Sequence, residues 1–270
     1  MTTTESRSRP RWLYLLAAIV AIWMAAPPLV VIPMSFSSER TLTFPPSGYS
    51  LRWYQEFFEN PVWLDALKSS LLIAVLVMVI SVVIGTLAAF AVVRGRFRGR
   101  GLLEMVGIAP LVVPVVVLGI GVYAMFLRWG LIGTVPGFVA AHCVLSTPYV
   151  IITVSGALRV MDQQLERAAQ VLGARPHRVF LRVTLPLIAP GMLAGGLFAF
   201  VTSFDEVVVS LFIVSPGLRT LPVEMYSSVT RDINPTIAAA STLILAVSTV
   251  LILASTRFLF SDRADGRSKR

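Results

Sequence analysis

Apolar residues in this chain come in long unbroken runs separated by short polar breaks, rather than alternating. Runs long enough to cross a bilayer as helices, about 20 residues each, lie near 12–34, 66–93, 102–127, 135–158, 187–213 and 236–258. Six such runs predict an all-α integral membrane protein in which residues 1–270 form one transmembrane domain. The first run follows Arg7, Arg9 and Arg11, and Ala25-Ala26 imitates a cleavage site. Its length through Met34 and the runs after it predict an uncleaved membrane anchor rather than a signal peptide.

Two runs carry internal marks. The third contains Pro110, Pro114, Gly119 and Gly121, which weaken the helical ladder and invite kinks or close packing. Irregular backbone at membrane depth is tolerated where protein or a water-filled cavity surrounds it, so this run is a candidate pathway wall. Gly191-x-x-x-Gly195 opens the fifth run and predicts a helix contact. Outside the membrane, LRWYQEFFENPVW spaces Trp53, Phe57 and Phe58 as on a helix, predicting a segment at the interface with its rings among the headgroups. Trp129, Gly130 and Gly133 predict a tight external turn, and SPGLRTLPVEMYSSVTRDINP offers a surface to an external partner.

Composition agrees with the pattern: 56% of residues are hydrophobic and mean hydropathy is +0.80. Six helices and short loops use up the 270 residues, leaving no stretch for an attached enzyme domain. A net charge of +9 raises the question of nucleic acid, and its distribution answers against it. Seventeen of the 23 Lys and Arg fall in the N-terminus, the loops around 94–101 and 159–186, and the tail. The positive-inside rule makes that side cytoplasmic, which puts both termini there and makes lipid the partner of the basic residues. The single Cys143 has no disulfide partner and reads as a small buried side chain.

Catalytic constellations are missing. The two lysines, Lys68 and Lys269, belong to no G-x-x-x-x-G-K-[ST], so the chain does not hydrolyse ATP through a P-loop of its own. It also lacks H-E-x-x-H, C-x-x-C and G-x-S-x-G, and His142 and His177 stand isolated as packing or surface residues. No metal, no cofactor and no enzyme activity are expected. Any energy source is another chain.

The exception to the apolar pattern is Asp205-Glu206 in FAFVTSFDEVVVSLFIV. Each acid costs about 2.5–3.5 kcal/mol at the centre of a membrane helix, so the pair predicts a cavity or pathway, the alternative being that the helix ends at Ser203 and the acids sit at an interface. Asp205 lies 15 residues beyond Pro190, about 22 Å along a helix, in the outer half of the bilayer. On a continuous helix the two carboxylates point about 100° apart, so one lines the route while the other pairs elsewhere or meets water. An anionic lining selects cations, and Phe204, Tyr226 and Trp53 can add cation–π attraction where they border the same cavity.

The second exception is LERAAQVLGARPHRVFLRVTLP, between the fourth and fifth runs. Ala168 and Ala169 allow close approach of a partner backbone, Gly173 permits the turn at a helix end, and Pro176 suits the first turn of a second, basic helix that includes Arg175 at its start. The spacing Arg167-Ala168-Ala169-x3-Gly173-x9-Val183-x-Leu185-Pro186 resembles the EAA loop of binding-protein-dependent ABC importer permeases. In that family the loop is a helix pair seated in a cleft of the ATPase, so the resemblance implies a coupling role for Glu166, Arg167, Ala168, Ala169, Gly173, Arg175, Pro176, Leu185 and Pro186. The family's acid falls at position 167, where this chain has Arg, and Glu166 lies one residue early. A salt bridge from that acid to the ATPase is therefore not carried over.

LRWYQEFFENPVWLDALKSSLLIA, GTLAAFAVVR, SFDEVVVSLFI and TLPVEMYSSV extend the resemblance over nearly the whole chain, to the second permease subunit of spermidine/putrescine ABC importers. That likeness implies a type I permease with six transmembrane helices in a bacterial inner membrane. It also implies three partners: an ABC ATPase dimer, a homologous second permease, and a periplasmic or lipid-anchored substrate-binding protein. The family's fifth-span acid maps onto Asp205, and the implied cargo is a polyamine. Relatives of the same branch leave open another small organic cation, a zwitterion or an aminophosphonate. A passive channel is the rival of another class, and it needs no docking loop.

Overall fold

The computed structural model describes residues 11–231 and 234–265, with side chains placed for 12–231 and 234–250. Among these, regular structure is helical, with two isolated β-bridges, Ser37 to Tyr49 and Ser215 to Leu218. The helices divide between two compact units, one holding the chain to Asn60 with Ser228–Thr249, the other holding Pro61–Ser227 and the chain after Thr249.

In the first unit, α1 (Arg11–Ser35) is an apolar helix with largely exposed side chains, and α2 (Arg52–Glu59) is short. Between them Glu39 gathers the hydroxyls of Ser47, Thr43 and Thr41, and these bonds, Ser47's first, hold its carboxyl below the usual range. The helical spacing predicted for α2 is present, but its aromatics are used differently. Trp53 and Phe57 are buried, the Trp53 indole N–H donates to Ser37 O at 2.7 Å, and only Phe58 is exposed. Burial with a satisfied N–H makes Trp53 a packing residue instead of a headgroup anchor.

The second unit holds the membrane core. Here α3 (Pro61–Arg94), α6 (Val135–Val160) and α9 (Leu185–Phe204) pack as three mutually contacting helices. Lipid is as apolar as leucine, so close backbone approach and fitted side chains hold such helices together. The small residues are placed accordingly. A Cβ on Gly85 would come 2.6 Å from Val150 Cβ, one on Gly191 2.8 Å from Ala157 Cβ, and one on Gly195 2.9 Å from Val150 Cα. The Gly191-x-x-x-Gly195 contact expected from sequence is thus a contact with α6. Around it Ala89, Val150, Val154, Leu158, Ile188 and Ala199 form one buried cluster.

The third apolar run is two helices. After α4 (Arg100–Ile108) comes a 3-10 turn at Ala109–Leu111, and α5 (Val115–Trp129) leaves at 102°. Pro110 and Pro114 remove two backbone donors within five residues, and the ladder does not survive both. The result is a bend much sharper than a kink. Gly119 packs against Phe212, and Gly133 N–H donates to Ile213 O at 2.8 Å behind the turn that follows Trp129.

Beyond α6 lie α7 (Gln163–Val171), α8 (Pro176–Val179), α9, α10 (Val208–Ile213), α11 (Leu221–Arg231) and α12 (Thr236–Asp265). Four helices among the described residues are long and apolar enough to cross a membrane, and the bent α4–α5 pair makes a fifth crossing if it counts as one. The apolar part of α12 within the placed side chains, Thr236–Val250, is shorter.

Candidate functional site

The polar loop folds into two short helices as its sequence suggests. Asp162 caps α7 by accepting from Gln164 N–H at 2.8 Å. At its far end Gly173 takes φ +85°, while Ala174 N–H returns to Ala169 O at 3.0 Å and Gly173 N–H to Gln170 O at 2.9 Å. This pair of reversed bonds is the Schellman stop, and the left-handed residue in it favours glycine. Pro176 then opens α8.

The second helix of the loop does not stop before the fifth run. From Pro176 to Phe204 the helix is continuous, with a π-turn at Phe180–Thr184 just before Leu185-Pro186. Pro186 has no N–H for the Arg182 carbonyl and its ring would press on it, and the wider turn relieves both faults. That helix and the fifth span are therefore a single rod.

Glu166 departs most from expectation. Its Oε1 accepts from the buried Thr184 hydroxyl at 2.7 Å, and its Oε2 lies 3.7 Å from Arg94 Nη2 at the end of α3. Both charged side chains are about one-fifth exposed. The carboxylate thus ties α7 to α3 and to the π-turn within the chain itself. Leu165, Val171 and Leu172 are exposed on α7 and at its end, as are Arg167, Ala168, Arg175 and Pro176. Arg159 and Glu104 add an exposed pair at 2.9 Å between α6 and α4.

The acids of the fifth run sit at a break. α9 ends at Phe204, Asp205 is its exposed C-cap, and α10 begins at Val208, so the predicted continuous helix to residue 213 is corrected. Glu206 explains the stop: its Oε1 accepts the Val209 N–H at 2.7 Å, supplying from a side chain what the helical ladder would have supplied. The two carboxylates are separated by role, Asp205 open and Glu206 half-buried as a cap, and not by a helical rotation of 100°. Phe204 is buried and stacks on Phe200 with centroids 5.7 Å apart. Tyr226 lies on α11 with about half its surface exposed. At the start of the same helix Arg219 pairs with the nearly buried Glu224 at 3.1 Å, and Ser70 accepts the Leu221 N–H at 2.7 Å.

Three residues of these contacts carried no mark in sequence: Arg94, Thr184 and His142. His142, read as isolated, is fully buried with both ring nitrogens at hydrogen-bond distance from serines on α9 and α10. Among the described residues no group of three or more His, Cys, Asp or Glu could hold a metal.

Residues 81–263 match the family model described as binding-protein-dependent transport system inner membrane component. The chain belongs to this family. It is 36% identical over 244 residues to the putrescine transport system permease protein PotI of Escherichia coli (strain K12), covering 88% of this chain and 86% of that one. It is 31% identical over 246 residues to the spermidine/putrescine transport system permease protein PotC of the same strain, covering 91% and 92%. A crystal structure of a bacterial alginate ABC transporter, in complex with an alginate pentasaccharide-bound periplasmic protein, superposes with TM-score 0.69 over 94% of each chain at 17% identity. That likeness concerns the fold, which is the type I permease fold. The protein is a multi-pass membrane permease subunit.

Proposed function

We propose that this permease carries polyamines into the cytoplasm as one half of a two-permease pathway, driven by an ABC ATPase dimer. The observation that carries the reading is the exposed Asp205 at an unwound elbow in an otherwise apolar span. Identity to permeases named for putrescine and spermidine supports the same cargo. A carboxylate attracts an alkyl diammonium through charge-assisted hydrogen bonds, roughly twice as strong as neutral ones. The elbow leaves that carboxylate without a partner on its own helix.

Force enters at α7 and α8. The exposed Leu165, Ala168, Val171 and Leu172 offer an apolar face with a small-residue step, rimmed by Arg167, Arg175 and Pro176, for the ATPase cleft. Glu166 then passes displacement inward to α3 and, through Thr184 and Leu185-Pro186, to α9. Both termini face the cytoplasm of a bacterial inner membrane, a second homologous permease completes the route, and a periplasmic or lipid-anchored protein delivers the cargo to the external segment that includes Tyr226.

The test is ATP-dependent uptake of putrescine in vesicles holding the permease with its partners. Asp205→Asn keeps the shape and removes the charge; uptake falls at least tenfold while assembly persists. Glu206→Gln keeps an acceptor for Val209 N–H and has the smaller effect. Normal putrescine uptake in Asp205→Asn overturns the cation reading, and uptake without ATP overturns the importer reading in favour of a channel.

A further inference from the structure

Ser203 lies in the last turn of α9 and Ser210 in α10, so one side chain that bonds both spans the elbow at Asp205–Val207. His142 on α6 does this. Its Nδ1 is 2.9 Å from Ser203 Oγ and its Nε2 is 3.0 Å from Ser210 Oγ. His142 and Ser210 are wholly buried, Ser203 is 4% exposed, and the Phe138 ring meets the imidazole edge-on with centroids 5.9 Å apart.

A neutral imidazole has one N–H and one lone pair at opposite edges. One serine hydroxyl therefore accepts from the ring and the other donates to it in either tautomer, and the ring orients both hydroxyls. In a low-dielectric interior neither bond has water to replace it. The helical ladder is interrupted at the elbow, and the Glu206 cap is local to its own segment, so it does not tie α10 back to α9.

We propose that His142 is a positioning residue of the transport route: through its two serine bonds it holds α9 and α10 at a fixed angle and so sets where Asp205 stands. This rests on Asp205 lining the route, but the geometry of the elbow can be read without any substrate.

The assembled transporter is prepared with Asp205→Cys in a Cys143→Ala background, and the rate of modification by a charged maleimide is measured. His142→Leu, Ser203→Ala and Ser210→Ala are added singly. His142→Leu changes the rate at least fivefold and each serine variant at least twofold, whereas His142→Gln, which still donates and accepts, stays within twofold of the parent. With Asp205 restored, His142→Leu raises the KM for putrescine by a larger factor than it lowers the maximal rate, and His142→Gln recovers it. Should His142→Leu fail to assemble, the serine variants decide alone. Labelling within twofold of the parent in both serine variants overturns the proposal, even where Asp205→Asn abolishes uptake. Labelling that moves while Asp205→Asn transports normally leaves the strut standing and removes the pathway role of Asp205.

Discussion

Replacing Gly195 by alanine tests whether close backbone approach holds the membrane core. The new Cβ would stand 2.9 Å from Val150 Cα and 3.4 Å from Val150 Cβ, and closer still to Thr153 Oγ1. Carbon atoms rest at about 3.5–4.0 Å. The Thr153 hydroxyl can rotate away at the cost of its bond to Tyr149 O at 3.0 Å, but the Val150 backbone cannot. α9 and α6 must then part by roughly half an ångström or more, with an overpacking cost of about 1–3 kcal/mol. Alanine returns about 1 kcal/mol of helix propensity, which a control must remove. Gly121→Ala supplies it, because it gains the same propensity with open space around the new methyl. The difference between the two variants is therefore the overpacking itself, about 1–3 kcal/mol, or roughly 5- to 150-fold in the unfolding equilibrium. The half-buried Cys143 is the single cysteine, so its reaction with a thiol-reactive dye on heating in detergent reports unfolding directly. Gly121→Ala unfolds above the parent temperature and Gly195→Ala at or below it. If Gly195→Ala is stabilised as much as Gly121→Ala, the helices are not held at this distance and the packing argument fails.

Three further outcomes concern the polar loop. Gly173→Ala strains a residue at φ +85° by about 1–2 kcal/mol, so it weakens co-purification of the ATPase, while Gly173→Asn retains more of it. Thr184→Val and Glu166→Gln each lower uptake per ATP hydrolysed in vesicles without releasing the ATPase; loss of the ATPase from the complex would show that Glu166 faces the partner after all. Arg167→Glu lowers transport with the cognate ATPase, and improved transport would show that the arginine is only tolerated at that position.

The helices and the polar loop were legible because both rest on local rules. Long apolar runs have one solution in lipid, and Ala168-Ala169, Gly173 and Pro176 act within a turn of where they sit. The breaks were harder. Pro110 and Pro114 announced a disturbance but not an angle of 102°, because the angle is set by what α5 packs on, including Phe212 against Gly119. Asp205-Glu206 were conspicuous and left open a helix ending at Ser203, yet hydropathy does not register a carboxylate that takes over a backbone donor three residues on, so the run itself did not decide between a continuous and a broken helix. His142, Arg94 and Thr184 were silent for a different reason. Their partners lie 61, 72 and 18 residues away in the chain, and a lone polar residue shows nothing of a bond made at that separation.

The uninterrupted helix from Pro176 to Phe204 has a mechanical consequence. Its 29 residues make a rod about 43 Å long, with the helices of the polar loop at one end and the elbow at the other. Pivoted near one end, such a rod tilted by about 5° carries its far tip through about 4 Å, comparable to the width of an alkyl chain. Under the proposed coupling, small motions at the loop end are thus geared up at the elbow, and the π-turn at Phe180–Thr184 lies where each stroke enters the rod.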